Sequence, residues 1–158
     1  MAIQDTLAEA LIEAAQGHDV PPPLNRKAIH DAEQAFGIQL PSDVLAFYEA
    51  MNGMHWPTLP ERGWIRIWSV ESWRRVRDDA AFQAESSKYA PVWNAIIIAD
   101  HCDESWWYAA DFGRSADLPI YLVDGLRPPK KVAATFTAFV RAALADASDI
   151  YPDPETVG

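Results

Sequence analysis

The sequence predicts an α+β fold: N-terminal helices, an antiparallel curved sheet of about four to six strands, and a C-terminal helix packed on that sheet. Three observations lead there. Apolar residues recur at helical spacing in the first third of the chain. Short β-branched and aromatic runs separated by turn residues fill the middle. A final helical stripe closes the chain, so the helices are segregated from the strands and do not alternate with them.

The elements follow in order. Ile3, Leu7, Ala10, Leu11 and Ala14 keep helical spacing while Asp5, Glu9 and Glu13 lie off that stripe, so a first helix fills residues 1–17 and stops at Gly17. Residues 18–24 hold three consecutive prolines, which cannot continue a helix, and read as a stiff linker. Asn25 is a fitting N-cap for a second helix with Ile29, Ala32 and Phe36 inward, and Gly37 stops it. In residues 40–53, Pro41 suits a first helical turn, and Ser42 and Asp43 favour the positive end of the helix dipole. Val44, Phe47, Tyr48 and Met51 then form one apolar stripe, with Asn52-Gly53 as a left-handed stop. Residues 54–63 read as an irregular loop.

Residues 64–68, Trp-Ile-Arg-Ile-Trp, are β-branched or aromatic and alternate in character, as a strand does. If Ile65 and Ile67 point to the core, then Trp64, Arg66 and Trp68 share the other face. A helix is expected from Ser69 or Glu71 with Trp73, Val76 and Ala80 inward. Ala95 to Ala99 is a continuous apolar run, the mark of a central strand covered on both faces. Asp100 to Ser105 reads as a polar turn, Trp106 to Asp111 returns as a strand, and Gly113, Asp117 and Pro119 mark a reversal before a strand at Ile120 to Val123. Residues 125–129 break the chain again. Thr135 is then the expected cap of the closing helix, with Phe136, Phe139, Val140, Ala143 and Leu144 inward. The expected organisation is a helix at 1–17, a linker at 18–24, one domain at 25–146, and a loose acidic tail at 147–158.

Composition narrows the function classes. At 158 residues the chain has the length of one domain, able to bury about 70% of its unfolded surface without disulfides. Cys102 is the single cysteine, so no internal disulfide framework is possible. The chain opens with no charged-then-apolar leader and holds no apolar run near the ~20 residues that span a bilayer. A cytoplasmic protein without membrane contact is expected. The net charge of −10 argues against nucleic acid, because phosphate neutralisation needs clustered Lys and Arg. An acidic surface is read in two ways, as steering for a basic protein partner or as a device for solubility alone.

The string Leu-Pro-x-Asp-x-x-x-Phe-Tyr-x-x-x-Asn-Gly at residues 40–53, led in by Ile29, Glu33 and Phe36, resembles the SUKH superfamily of fungal cell-wall-synthesis regulators and bacterial immunity proteins. The strand near Trp64 to Trp68, the Ile96 to Asp100 and Trp107 to Asp111 strands, and a closing helix reading Val132-Ala133-x-x-Phe136-x-x-Phe139-Val140 occur in the order that superfamily uses. The resemblance covers roughly Asn25 to Asp146. It implies a non-catalytic module that neutralises a cognate, basic toxin by tight binding and occlusion, as a monomer or weak homodimer. The alternative it implies is an intracellular regulatory or scaffold protein that binds an endogenous partner.

Residue chemistry agrees with a binding role. Asp100-His101-Cys102-Asp103-Glu104 gathers a thiol, an imidazole and carboxylates, yet adjacent residues in extended structure point apart, which disfavours a Cys–His pair. Zinc would need further soft ligands, and the spacing lacks the glycine and terminal Glu of a calcium loop. A solvated hairpin turn is the first reading and partner contact the second. No phosphate loop or nucleophile elbow is present, so neither a catalytic residue nor a cofactor or metal site is assigned. All seven tryptophans lie between Trp56 and Trp107, more than a core this size needs. Burial remains the leading reading for any one of them, with binding hot spots for the rest. The candidate partner-binding residues are therefore His55, Trp56, Trp64, Arg66, Trp68, Asp100, Asp103, Glu104, Trp106, Asp111 and Asp117.

Overall fold

The computed structural model describes residues 21–54, 65–113, 117–145 and 147–153. The helix expected at 1–17, the first part of the linker, the loop beyond Met54 and the end of the tail lie outside the described residues.

Helix α1 (Arg26–Phe36) starts where Asn25 Oδ1 accepts a hydrogen bond from the Ala28 N–H at 2.8 Å, and ends at Gly37 with φ 65°. Helix α2 (Ser42–Ala50) follows Pro41 and buries Val44, Phe47 and Tyr48, with Met51 buried just beyond it. The expected stripe is therefore the core face. Asp43 does more than face the helix dipole: its Oδ2 accepts from the backbone N–H of Thr137 at 3.0 Å and from the Thr137 hydroxyl at 2.9 Å. That joins α2 to the first turn of the closing helix α4 (Phe136–Leu144), which Thr135 caps as expected.

The sheet has six strands: β1 (Ile65–Ile67), β2 (Arg74–Arg75), β3 (Ile96–His101), β4 (Trp106–Ala110), β5 (Ile120–Val123) and β6 (Lys130–Ala133). Every pairing is antiparallel, in the order β1-β3-β4-β5-β6, and β2 pairs with β3 further along the edge that β1 occupies. Register shifts between Ile97 and Ala99 and between Ile120 and Tyr121 curve the sheet. Ile96 to Ala99 are buried throughout, so the continuous apolar run is indeed covered on both faces. Phe139 of α4 packs on Tyr108 of β4, and Phe136 meets Phe47 of α2, so the helices share one core with the sheet.

Four expectations need correction. The helix expected from Ser69 or Glu71 is replaced by a 3₁₀ turn (Val70–Ser72), strand β2, a second 3₁₀ turn (Val76–Asp78) and the short helix α3 (Ala80–Gln83). The three-residue spacing of Val70, Trp73 and Val76 suits 3₁₀ geometry, and the backbone between them is drawn to β3: Val76 N–H bonds Ala95 O at 3.0 Å and Arg77 N–H bonds Trp93 O at 3.1 Å. Val132 and Ala133 belong to β6, not to the closing helix, because β5 captures their backbone. Residues 147–153 are docked rather than loose: Ile150 is fully buried, its carbonyl accepts from the Tyr108 hydroxyl at 2.7 Å, and Asp153 pairs with Lys130 at 2.6 Å.

The fourth concerns Asn52-Gly53. Helix α2 has already ended, with Met51 extended, so the pair is not its stop. It is a docking point. Asn52 Oδ1 accepts from Val70 N–H at 3.0 Å while its Nδ2 donates to Glu71 at 2.8 Å, which holds that carboxyl below the usual glutamate range. Gly53 has φ 91°, and a Cβ there would lie 2.7 Å from Ser69 N and 2.8 Å from Ile67 O. Tyr48, fully buried, donates its hydroxyl to Trp68 O at 2.7 Å and accepts from Trp73 Nε1 at 3.2 Å. Burial pushes this phenol well above its ordinary pKa.

Because both the positive φ and the backbone contact forbid a side chain at Gly53, Gly53→Ala should cost about 2–4 kcal/mol in urea unfolding. Asn52→Ala should cost about 1–2 kcal/mol through the unpaired Val70 N–H.

Candidate functional site

The β3–β4 hairpin ends in a tip whose backbone is unusual. Cys102, Asp103 and Glu104 have φ of 44°, 51° and 63°, all left-handed and none glycine. Such a conformation costs about 1–2 kcal/mol per residue, so the surroundings must impose it. They do so through the end of β3. Asp100 is completely buried, and its Oδ2 accepts from Glu104 N–H at 2.9 Å, across the turn. Ser105 N–H bonds His101 O at 2.8 Å, and the Ser105 hydroxyl bonds Cys102 O at 2.8 Å. Composition alone places Asp100 in a solvated turn. It is instead the buried post on which the tip is built, because β3 extends through His101 and Arg66 lies opposite Asp100 in the register.

Arg66 meets that carboxylate as a fork, Nε to Oδ1 at 3.1 Å and Nη2 to Oδ2 at 2.8 Å. The next arginine on the same face is Arg74 of β2, whose Nε donates to Asp79 at 2.5 Å and Nη2 to Glu104 at 2.6 Å. Its guanidinium lies 4.5 Å from the centre of the Trp68 ring. Glu104 also accepts from Trp107 Nε1 at 3.1 Å, and the Trp107 indole, followed by Arg74, holds the Glu104 carboxyl below its usual range. Between tip and 3₁₀ segment this network leaves a groove of about 210 Å³, lined by Arg66, Trp68, Ser69, Ser72, Arg74 and Glu104.

The structure thus brings Arg66, Trp68, Asp100 and Glu104 together, with Asp103 exposed at the tip. It does not gather the rest. Trp106 turns to the opposite face, where its ring stacks on His101 at 3.8 Å and its Nε1 donates to Tyr108 at 2.9 Å. Asp111 and Asp117 lie beyond the far end of β4, Asp111 accepting from Gly113 N–H and Asp117 exposed. His55, Trp56 and Trp64 lie outside the described residues. Trp68, expected on the open face, is only 4% exposed: β1 ends at Ile67, so strict alternation stops there, and the ring tucks under Arg74. Arg74, Asp79, Ser69 and Ser72 escape the sequence reading because a helix expected over 69–80 scatters residues that β2 and its flanking 3₁₀ turns place on one side, and Trp107 escapes it because strand alternation sets it opposite Trp106 without saying which side is open. Among the described residues no group of three or more His, Cys, Asp or Glu could hold a metal ion, and no helix is long and apolar enough to cross a membrane.

Residues 23–142, from just before α1 into α4, match the model of the SMI1 / KNR4 family (SUKH-1). The chain belongs to that family. The SUKH-1 match includes every described residue that lines the groove as well as the hairpin tip. No curated protein matches the chain.

Asp100→Asn should cost about 1–3 kcal/mol in urea unfolding, since the buried amide must turn an N–H toward either the Arg66 guanidinium or the Glu104 N–H. Glu104, with a lowered pKa, adds stability that is present above the unfolded glutamate value and is lost as pH falls through the folded one. The indole N–H resonance of Trp107 should accordingly titrate with a midpoint below the ordinary glutamate value of 4.5.

Proposed function

We propose that this SUKH-1 protein is a non-catalytic immunity protein that binds a cognate bacterial toxin tightly in the cytoplasm and occludes its active site. The observation that carries the reading is the hairpin tip. A left-handed turn held by a buried carboxylate presents Asp103 outward on a rigid support, beside Glu104 held at the groove wall by Arg74 and Trp107, and rigid presentation lowers the ordering cost of association. Family membership supports a protein-binding role, and the net charge of −10 supports a basic partner drawn in by long-range attraction. The protein works as a monomer or weak homodimer, with no cofactor, metal or nucleic acid.

The test is co-expression with a toxin C-terminal domain encoded by a neighbouring gene. The expected result is protection of the host and co-purification of the pair. Asp103→Lys, which alters an exposed charge outside the supporting network, should slow association about tenfold at low salt and much less at high salt. A wild-type protein that neither protects nor co-purifies overturns the immunity reading and favours an endogenous partner of the regulator type.

A further inference from the structure

The groove beside the tip gathers hydrogen-bond donors that the protein itself does not use up. Its two guanidinium groups are accessible, with the Arg66 and Arg74 side chains 36% and 37% exposed and the acids behind them, Asp100 and Asp79, 0% and 10% exposed; Glu104, 43% exposed, forms one wall with its carboxylate already on Arg74. Each arginine spends Nε and Nη2 on those acids and Glu104. The Nη1 donors of both make no bond among the described residues. Ser69 and Ser72 add hydroxyls 3.4 Å apart, and the buried Trp68 Nε1 has no hydrogen-bond partner among the described residues. Glu104 already shows the preference of the site, since its carboxylate rests on Arg74 at the groove wall.

We infer that this groove binds one carboxylate of a protein partner, seated between Arg66 and Arg74 and met by the serine hydroxyls. Planar carboxylate matches the guanidinium fork, and arginines oriented by buried acids lose little freedom on binding it. Charge selects against phosphate. Two arginines face three acids, Asp100, Asp79 and Glu104, with Asp103 near Arg66, so the site is net negative: binding rests on the directed N–H and O–H donors rather than on net charge, and a dianion meets about twice the repulsion of a monoanion. A volume of about 210 Å³ accommodates a side-chain or chain-terminal carboxylate with its first carbons. That the carboxylate belongs to a protein rests on the protein-binding reading above; the carboxylate site itself does not.

The full chain is titrated at constant ionic strength with propionate, which stands for an Asp or Glu side chain, and with N-acetylalanine, which stands for a chain end. Chloride and inorganic phosphate are the comparison anions. The Nε–H resonances of Arg66 and Arg74 and the indole resonance of Trp68 should shift saturably with a carboxylate, and the tighter of the two probes assigns the source. Arg74→Lys, keeping the charge and losing the fork, should weaken binding about tenfold. Ser72→Ala, on an exposed hydroxyl outside the ion pairs, should weaken it less and decides the matter if the arginine variant unfolds. No saturable shift, tighter binding of phosphate, or unchanged affinity in the variants that fold overturns the inference. Because no partner is in the tube, failure here leaves the toxin-binding reading standing, and failure of the toxin pairing leaves this site standing.

Discussion

The hydroxyl of Tyr48 ties the helical half of this protein to the segment that builds the groove. It donates to Trp68 O and accepts from Trp73 Nε1 inside a core that water does not reach, so each of the three polar groups depends on the other two. Trp68 and Trp73 bracket Ser69 and Ser72, and Arg74 follows directly. Asn52 and Gly53, a few residues beyond Tyr48, seat the backbone of Ile67 to Glu71 by hydrogen bonds and by close approach. The SUKH-1 helix motif is thus a clamp: one face fills the core, and its polar positions hold a neighbouring stretch that has little regular structure of its own.

That clamp explains how an irregular segment can carry a well-defined surface. From Trp68 to Asp79 the chain forms only two 3₁₀ turns and a two-residue strand. Such elements contribute few backbone bonds, so their geometry comes from the Tyr48 and Asn52 contacts on one side and from β3 on the other. Across the groove, the fork from Arg66 to the buried Asp100 plays the matching part for the hairpin tip. A buried ion pair adds little net stability against a well-packed apolar pair, but once present it is costly to break, which makes it a means of fixing one geometry.

Elements with strong periodicity were legible in the sequence. The α1 caps at Asn25 and Gly37, the Val44-Phe47-Tyr48-Met51 stripe, the Ile96 to Ala99 strand and the Thr135 cap all declare themselves through local chemistry. The groove did not. Apolar residues at three-residue spacing in 70–76 fit α and 3₁₀ helices alike, and only the tertiary pull of β3 decides between them. Asp100 reads as a turn residue from composition, and its burial depends on the arginine opposite it in a neighbouring strand, a pairing no local window contains. The Asn-Gly pair was recognisable as a left-handed signal, yet its purpose lies in contacts made by Val70 and Ser69 far along the chain.

Tyr48 acts through Trp68 and Trp73 rather than by packing alone. A double-mutant cycle of Tyr48→Phe and Trp73→Phe, read by urea unfolding, measures this directly. The coupling should be about 1 kcal/mol or more, with Tyr48→Phe also raising hydrogen exchange in the backbone amides of 68–75 while leaving those of β5 unchanged. Strictly additive losses, or exchange that rises equally across the whole sheet, would contradict it.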